Sequence, residues 1–300
     1  MKAAKLAALT LAFQLCLIPS LAAEGTVIIL DYHTFLGSGK SSIDYTEQEL
    51  ADQLDQIRAM GYSFVSLDDA IAGRIEGKAN IVITIDDGNH SIYPAFKRVF
   101  EPRGIKPYLF VYPAIVLGHV RYALTPDRLR ALSQAGCGIG AHGYHHNPVT
   151  DKAWARNPAD FMAEIERPGP ALARILGTAP TMFAYPFGVY SSRAETALAA
   201  AGYTWAFAAD DKVRSVLFDD PSLDHFAVPR TITYRYGRRN LMKALRDYLG
   251  NSGTPPFEAP LPAAPSTEAF PAPPPAEALP DKVGSDLVGP DLVGPDAVAK

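Results

Sequence analysis

Two short runs hold most of the chemistry open to this chain. Asp86 and Asp87, in Thr84-Ile85-Asp86-Asp87-Gly88, follow directly on an apolar, β-branched stretch. Adjacent carboxylates repel each other, and a cation beside them relieves that repulsion. One acid can then ligate a metal while its neighbour stays free as a base. An Asp-Gly turn with two solvated carboxylates is the competing reading. The second run, His142-Gly143-Tyr144-His145-His146, holds three of the seven histidines. If it makes a helical turn, His142 and His146 fall on one side and can grip one ion, while His145 points elsewhere. One Asp with two His leaves coordination positions open for water and substrate, as a hydrolytic metal site requires. Such a set suits a divalent metal. Zinc (Zn2+) is the first expectation, and Co2+, Ni2+ or Mn2+ are accepted by the same ligands. A zinc-activated water, with its pKa lowered to about 7, and a free carboxylate together suit attack on a carbonyl.

Both runs must be positioned by the elements before them. Residues 27–30, 81–85, 107–112, 138–141, 181–185, 203–208 and 227–231 read as strands. Residues 46–60 read as a helix: Thr46 and Glu49 form a capping box, Leu50, Leu54 and Ile57 share a face, and Gly61 stops it. Further helices are expected at 125–136, 191–201 and 238–249. Another starts at Asn157-Pro158 and is broken by Pro168-Gly169-Pro170. Strands alternating with helices argue for an α/β parallel sheet. A distorted β/α barrel and an open doubly wound sheet both fit this alternation. Each acidic or histidine run follows a predicted strand, and the C-terminal strand ends of such folds form the active face.

The bulk properties narrow the setting. Of 300 residues, 48% are hydrophobic and 20% charged, with a net charge of −4. Nucleic-acid binding, which needs a clustered basic excess, has no support. Arg235, Arg238 and Arg239 read as a solvated helix start. Residues 1–23 read as a signal peptide: Lys2 and Lys5, an apolar stretch at 6–18, Pro19, then small residues. The expected protein is exported, periplasmic or extracellular, with no transmembrane span after signal removal. Cys137 reads as a buried structural thiol. Residues 251–300 contain 12 of the 26 prolines and repeat Asp-Leu-Val-Gly-Pro, and read as a disordered tail. A single catalytic domain is left at 24–250. The sequence is silent on oligomeric state.

Thr-Ile-Asp-Asp-Gly, followed about fifty-five residues later by His-Gly-Tyr-His-His, resembles the motif pair of the polysaccharide deacetylases. This is the NodB-homology domain, or carbohydrate esterase family four. Its patterns are Thr-Phe-Asp-Asp-Gly and His-Ser/Thr-x-x-His. Asp31-Tyr32-His33, residues 60–67 and Phe183-Ala184-Tyr185-Pro186-Phe187-Gly188 extend the likeness over roughly residues 26–245. The resemblance implies a distorted (β/α)7-type barrel and hydrolysis of acetamides on an N-acetylated polysaccharide. It implies Asp86 as the base, Asp87, His142 and His146 as metal ligands, and the Phe187 amide as an oxyanion donor. Tyr185 and Trp205 are candidates to line the acetyl pocket or stack a sugar, with core packing as the other reading.

The departures from the pattern matter. Ile85 replaces the usual Phe. Ala184 stands where many members have an Arg that pairs with the base, and Arg230, in Val228-Pro229-Arg230, is expected to supply that charge instead. The usual Leu-x-His motif is not visible. His225 and His33 are the candidates for the acid that protonates the leaving amine, and His90 and His119 read as surface residues. Tyr32-His33, the Arg-less third motif and Val-Pro-Arg resemble the exopolysaccharide branch, which acts on poly-N-acetylglucosamine. Peptidoglycan and chitin oligomers stay open. The alternatives are an O-acetyl esterase on the same scaffold and a non-catalytic module that binds polysaccharide or cell wall.

Overall fold

Six strands run parallel in the order β7-β6-β5-β4-β3-β1. They are β1 (Val27–Tyr32), β3 (Asn80–Ile85), β4 (Tyr108–Val111), β5 (Gly138–Ala141), β6 (Met182–Ala184) and β7 (Trp205–Phe207). Alternate residues of each strand separate two apolar cores, as the pleat dictates. Ile28, Leu30, Ile81, Ile83, Leu109, Val111 and Phe183 pack against helices. Val27, Ile29, Val82, Tyr108, Phe110, Ala184 and Phe207 share a second cluster on the other face. The structure is a computed structural model and describes residues 25–252. The expected signal segment and, but for its first two residues, the expected tail lie outside the described residues.

Three short strands complete the sheet. β2 (Ser63–Phe64) lies beside the start of β3, and β8 (Ser215–Val216) runs antiparallel to the start of β1. β9 (Thr231–Ile232) runs parallel to the end of β1, with Leu30 opposite Thr231 and Asp31 opposite Ile232. The chain just before β9 is bonded to β7 as well. The Val228 amide donates to the Ala206 carbonyl at 3.0 Å, and the Ala208 amide donates to the Val228 carbonyl at 2.9 Å. The Asp210 amide donates to the Arg230 carbonyl at 3.1 Å, and the Ile232 amide to the Asp210 carbonyl at 2.7 Å. Residues 228–232 thus lie between β7 and β1 and close the sheet on itself. Of the two architectures compatible with the alternation, the distorted barrel is the one formed.

Helices cover the outer face. α1 (Glu47–Ala59) starts with the expected capping box between Thr46 and Glu49, and buries Leu50, Leu54 and Ile57. α5 (Pro126–Gln134) is capped by Thr125, and α7 (Pro158–Glu166) by Asn157. α8 (Pro168–Leu176) begins at the proline expected to break the preceding helix, because an N1 proline has no amide to leave unpaired. α9 (Ser192–Ala200) and α10 (Arg238–Ser252) fall where expected. The periodicity overlooked α2 (Leu67–Ile71), α3 (Ile92–Ala95), α4 (Pro113–Leu117) and α6 (Asp151–Arg156). Each has four to six residues, too few to show a 3.6-residue repeat. Among the described residues, no helix is long and apolar enough to cross a membrane.

Candidate active site

Asp86 and Asp87 leave the end of β3, His142 leaves the end of β5, and Arg230 lies on the closing segment. The Asp86 amide still donates to the Tyr32 carbonyl at 2.9 Å, so its side chain emerges at a fixed height beside β1. Asp87 turns away with φ 72°. The two neighbours therefore meet chiefly different partners, although His142 Nε2 lies 3.5 Å from Asp86 Oδ2 and 3.6 Å from Asp87 Oδ1. Asp86, 2% exposed, meets Arg230 in a two-pronged pair of 2.7 and 2.8 Å. The same guanidinium reaches the Thr84 hydroxyl at 3.1 Å and Asp31 at 3.3 Å, and Arg230 Nε donates to the Ala208 carbonyl at 3.2 Å. It lies over the Phe110 ring, 5.1 Å from the centroid. Burial alone pushes the Asp86 carboxyl up. The Arg230 charge, the neighbouring His142 and the Arg230 hydrogen bonds overcome this and hold it well below the usual carboxylate range. Asp31 shares the guanidinium but is pushed up, by burial and by the Asp86 charge beside it.

The histidines meet Asp87. His142 Nδ1 donates to the Ala184 carbonyl at 2.8 Å, which leaves its Nε2 lone pair facing inward. That Nε2 lies 3.2 Å from His146 Nε2 and 3.6 Å from Asp87 Oδ1, and His146 Nε2 lies 3.3 Å from the same oxygen. Burial pushes both imidazoles down to about 4, so both are neutral at pH 7. Asp87 Oδ1 is buried without a hydrogen-bond partner. An orphaned carboxylate oxygen facing two neutral ring nitrogens suits a cation, and the three ligand atoms lie within 4.8 Å of one another. The donor set fits one divalent ion. A second group, Asp31, His33 and Asp86, is as compact, but there Arg230 already supplies the positive charge.

The four-residue spacing works differently from the helical turn expected of it. Residues 142–147 form a loop, in which Gly143 has φ 71° and His146 φ 68°. Asp87, His146 and Phe187 are three of the four non-glycine residues with positive φ among the described residues, and all three converge on this site. Backbone strain gathered in this way is a mark of functional sites.

Other expected site residues divide. Phe187 stands beside the histidines: it is 62% exposed, and its ring lies 4.6 Å from that of His146. Its amide has no acceptor among the described residues, whereas the next amide, of Gly188, donates to the Tyr185 carbonyl. His33 follows β1 and joins the carboxylates, with its Nδ1 buried and unpartnered. Burial lowers the His33 pKa, but Asp31, Asp87 and Asp86 together raise it above the ordinary value. His225 and Trp205 lie apart from these groups. Trp205 opens β7, at the N-terminal end of its strand, and packs against Phe218. Exposed His225 stacks on Trp205 at 4.0 Å, and neither is paired with the carboxylates or histidines. Tyr185 takes the core-packing alternative. It is fully buried, its hydroxyl donates to the Phe226 carbonyl at 2.9 Å, and its ring backs Tyr190.

Three contributors went unassigned in the sequence reading. Asp31 had a usable signal, a charged residue inside the apolar run of β1. Tyr112, whose ring lies 5.1 Å from His146, sits at the end of β4 and walls the ligand. Glu164 lies inside α7 and carries no motif at all.

Residues 74–206 match the family model described as polysaccharide deacetylase. No curated protein sequence matches the chain. The fold is similar to that of IcaB from Ammonifex degensii, with TM-score 0.62 and 24% identity over 73% of this chain and 97% of that one. It is similar to the Streptococcus pyogenes deacetylase PplD, solved with acetate, with TM-score 0.61 and 18% identity over 73% and 98%. A de-N-acetylase from Aggregatibacter actinomycetemcomitans has TM-score 0.58 and 17% identity over 69% and 94%. Residues 74–206, which carry both the acidic and the histidine motifs, are thus the part of the chain that is similar to the polysaccharide deacetylase family.

Proposed function

We propose that this chain is a metal-dependent hydrolase that removes N-acetyl groups from an exported polysaccharide. The observation that carries the reading is the division of labour between two adjacent acids. Arg230 holds Asp86 charged and free, while Asp87 faces His142 and His146. A divalent ion on that trio, with zinc the first expectation, would acidify a water and polarise an acetyl carbonyl. Asp86 takes the proton of the attacking water. Its low pKa keeps it ionised, and the fixed guanidinium keeps it aimed. The unpartnered Phe187 amide donates to the oxygen on which charge develops. His33, whose pKa is raised by the acids beside it, replaces His225 as the donor of the proton that the leaving amine needs. Acetate and a free amine leave the site.

The family supplies the substrate class. The solved relatives include a de-N-acetylase and a deacetylase holding acetate. Tyr32-His33, Ala184 and Val228-Pro229-Arg230 resemble the exopolysaccharide branch, so poly-N-acetylglucosamine is the first polymer to try. Phe187 and Tyr190, on the segment after β6, are 62% and 37% exposed. They offer flat apolar faces against which sugar rings can pack. The positively charged, apolar opening of the sequence supports export to the space where such polymers lie.

The test is acetate release from N-acetylglucosamine polymers by the zinc-loaded protein and its Asp86→Asn variant. Wild type should release acetate. The variant should keep its zinc and lose about 10²-fold or more in turnover. Release only from matched O-acetyl substrates would make the protein an esterase. Polymer binding with no acetate from either substrate would make it a binding module.

A further inference from the structure

We propose that Glu164 is a positioning residue for the metal site, holding the loop that delivers His146. This rests on the reading that Asp87, His142 and His146 bind a divalent ion. Glu164 lies on α7 and is 2% exposed. Its carboxylate accepts the Tyr144 amide at 2.7 Å, the His145 amide at 3.0 and 3.2 Å, and the Asn147 side-chain amide at 2.9 Å. Those donors bracket His146 on both sides. The partly exposed His145 ring, with Nδ1 3.6 Å away, is the one basic side chain beside it among the described residues. This buried charge is therefore satisfied chiefly by the N–H groups of one loop. Releasing the loop would strand it, and that couples the loop's shape to the helix.

The loop needs such a hold. His146 adopts φ 68°, a left-handed conformation that is strained for a residue with a Cβ. Gly143 makes the hold possible: a Cβ there would sit 2.6 Å from Glu164 Oε2. The other side of the loop is pinned as well. The Ala114 amide donates to the Tyr144 carbonyl at 3.1 Å, and the Arg167 guanidinium covers the Tyr144 ring at 3.9 Å. His142 needs none of this, since it follows β5 directly and is oriented by Ala184. Glu164 accordingly acts on one ligand of three.

The experiment measures zinc affinity by competition with a chromophoric chelator, using wild type, Glu164→Gln and Gly143→Ala. Glu164→Gln keeps the side-chain volume but turns an NH₂ toward donors that require an acceptor. It should weaken zinc binding by about 10- to 100-fold, the usual effect of losing a partner behind a ligand. Far-ultraviolet circular dichroism of the metal-free protein should stay unchanged. Gly143→Ala pushes the carboxylate away from the loop and should weaken zinc to a similar degree. It carries the test if Glu164→Gln does not fold. Either folded variant binding zinc within about threefold of wild type overturns the proposal alone, because a partner of a ligand costs more than that. A wild type that takes up no zinc overturns the metal reading and this proposal together.

Discussion

Arg230 and Asp86 are both withdrawn from water and depend on each other. Arg230 is 1% exposed, and its planar fork engages both oxygens of one carboxylate while also touching Asp31. Removing one member of such a pair leaves an uncompensated buried charge. Arg230→Ala should therefore cost about 3–5 kcal/mol in a urea unfolding series. Arg230→Lys keeps the charge but cannot make the two-pronged contact, and should lower kcat by about tenfold or more. Neither change touches the Asp87–His142–His146 trio, so zinc should stay bound in the folded protein. A variant that loses zinc in step with activity would contradict the separation of base and ligand. The two candidate acids separate in the same assay. His33→Gln should reduce kcat at full zinc content, whereas His225→Ala, an exposed change outside the site, should leave kcat/KM within about twofold. The opposite pattern would return the acid to His225.

At the scale of elements, the connection after β1 is held by a single acid. Asp44, 1% exposed, accepts the amides of Leu36 at 2.7 Å, Gly37 at 3.2 Å and Ser38 at 2.7 Å. It also accepts the hydroxyls of Thr34 at 3.0 Å and Ser38 at 2.7 Å. Burial alone raises the Asp44 pKa, but these hydrogen bonds bring it below the ordinary value. A carboxyl whose folded pKa is lowered contributes stability that is fully present above its unfolded pKa. That contribution is lost as pH falls through the folded value. The wild-type melting temperature should therefore drop on acidification below about pH 4, the ordinary carboxylate range. Asp44→Asn should remove about 2 kcal/mol at neutral pH and flatten that part of the profile. Identical acid profiles for both proteins would show that this loop adds nothing to stability.

At the scale of the whole molecule, the barrel is closed by a thin seam. β1 and β3 pair through six residues each, while the closing segment is tied to β7 by isolated bridges at Phe207–Val228 and Asp210–Thr231. Local opening follows the density of such contacts. Hydrogen exchange should show residues 208–233 opening well before β1 and β3, which should exchange only with global unfolding. Equal protection in the two regions would mean that the seam is part of the central cooperative unit. Arg230 rides on this seam, so an opening that spares the core still removes the partner of Asp86. Activity should then fall in mild urea before the circular dichroism signal of the core does.

Much of the architecture was legible in the sequence because its signals are local. Apolar runs ending in Asp86 and His142 mark strand ends, and Thr46 with Glu49 marks a helix start. Pro168 marks a break. Each depends on backbone geometry within a few neighbours. The metal-ligand types were legible for the same reason, as three side chains in two short motifs. The Arg230–Asp86 pair spans 144 positions and exists because residues 228–232 close the barrel beside β1. Its proximity was inferred from the missing arginine at Ala184, but its geometry came only with the closed ring. Glu164, inside a helix, gives no local sign that its carboxylate meets the histidine loop. His225 and Trp205 looked eligible by residue type, but Trp205 opens β7 and His225 stacks on it, away from the strand ends that carry the acids. The sequence determined which groups this protein carries and which strand ends present them. The tertiary structure decided which groups meet, because strand order, register and closure are set by contacts between residues far apart in the chain.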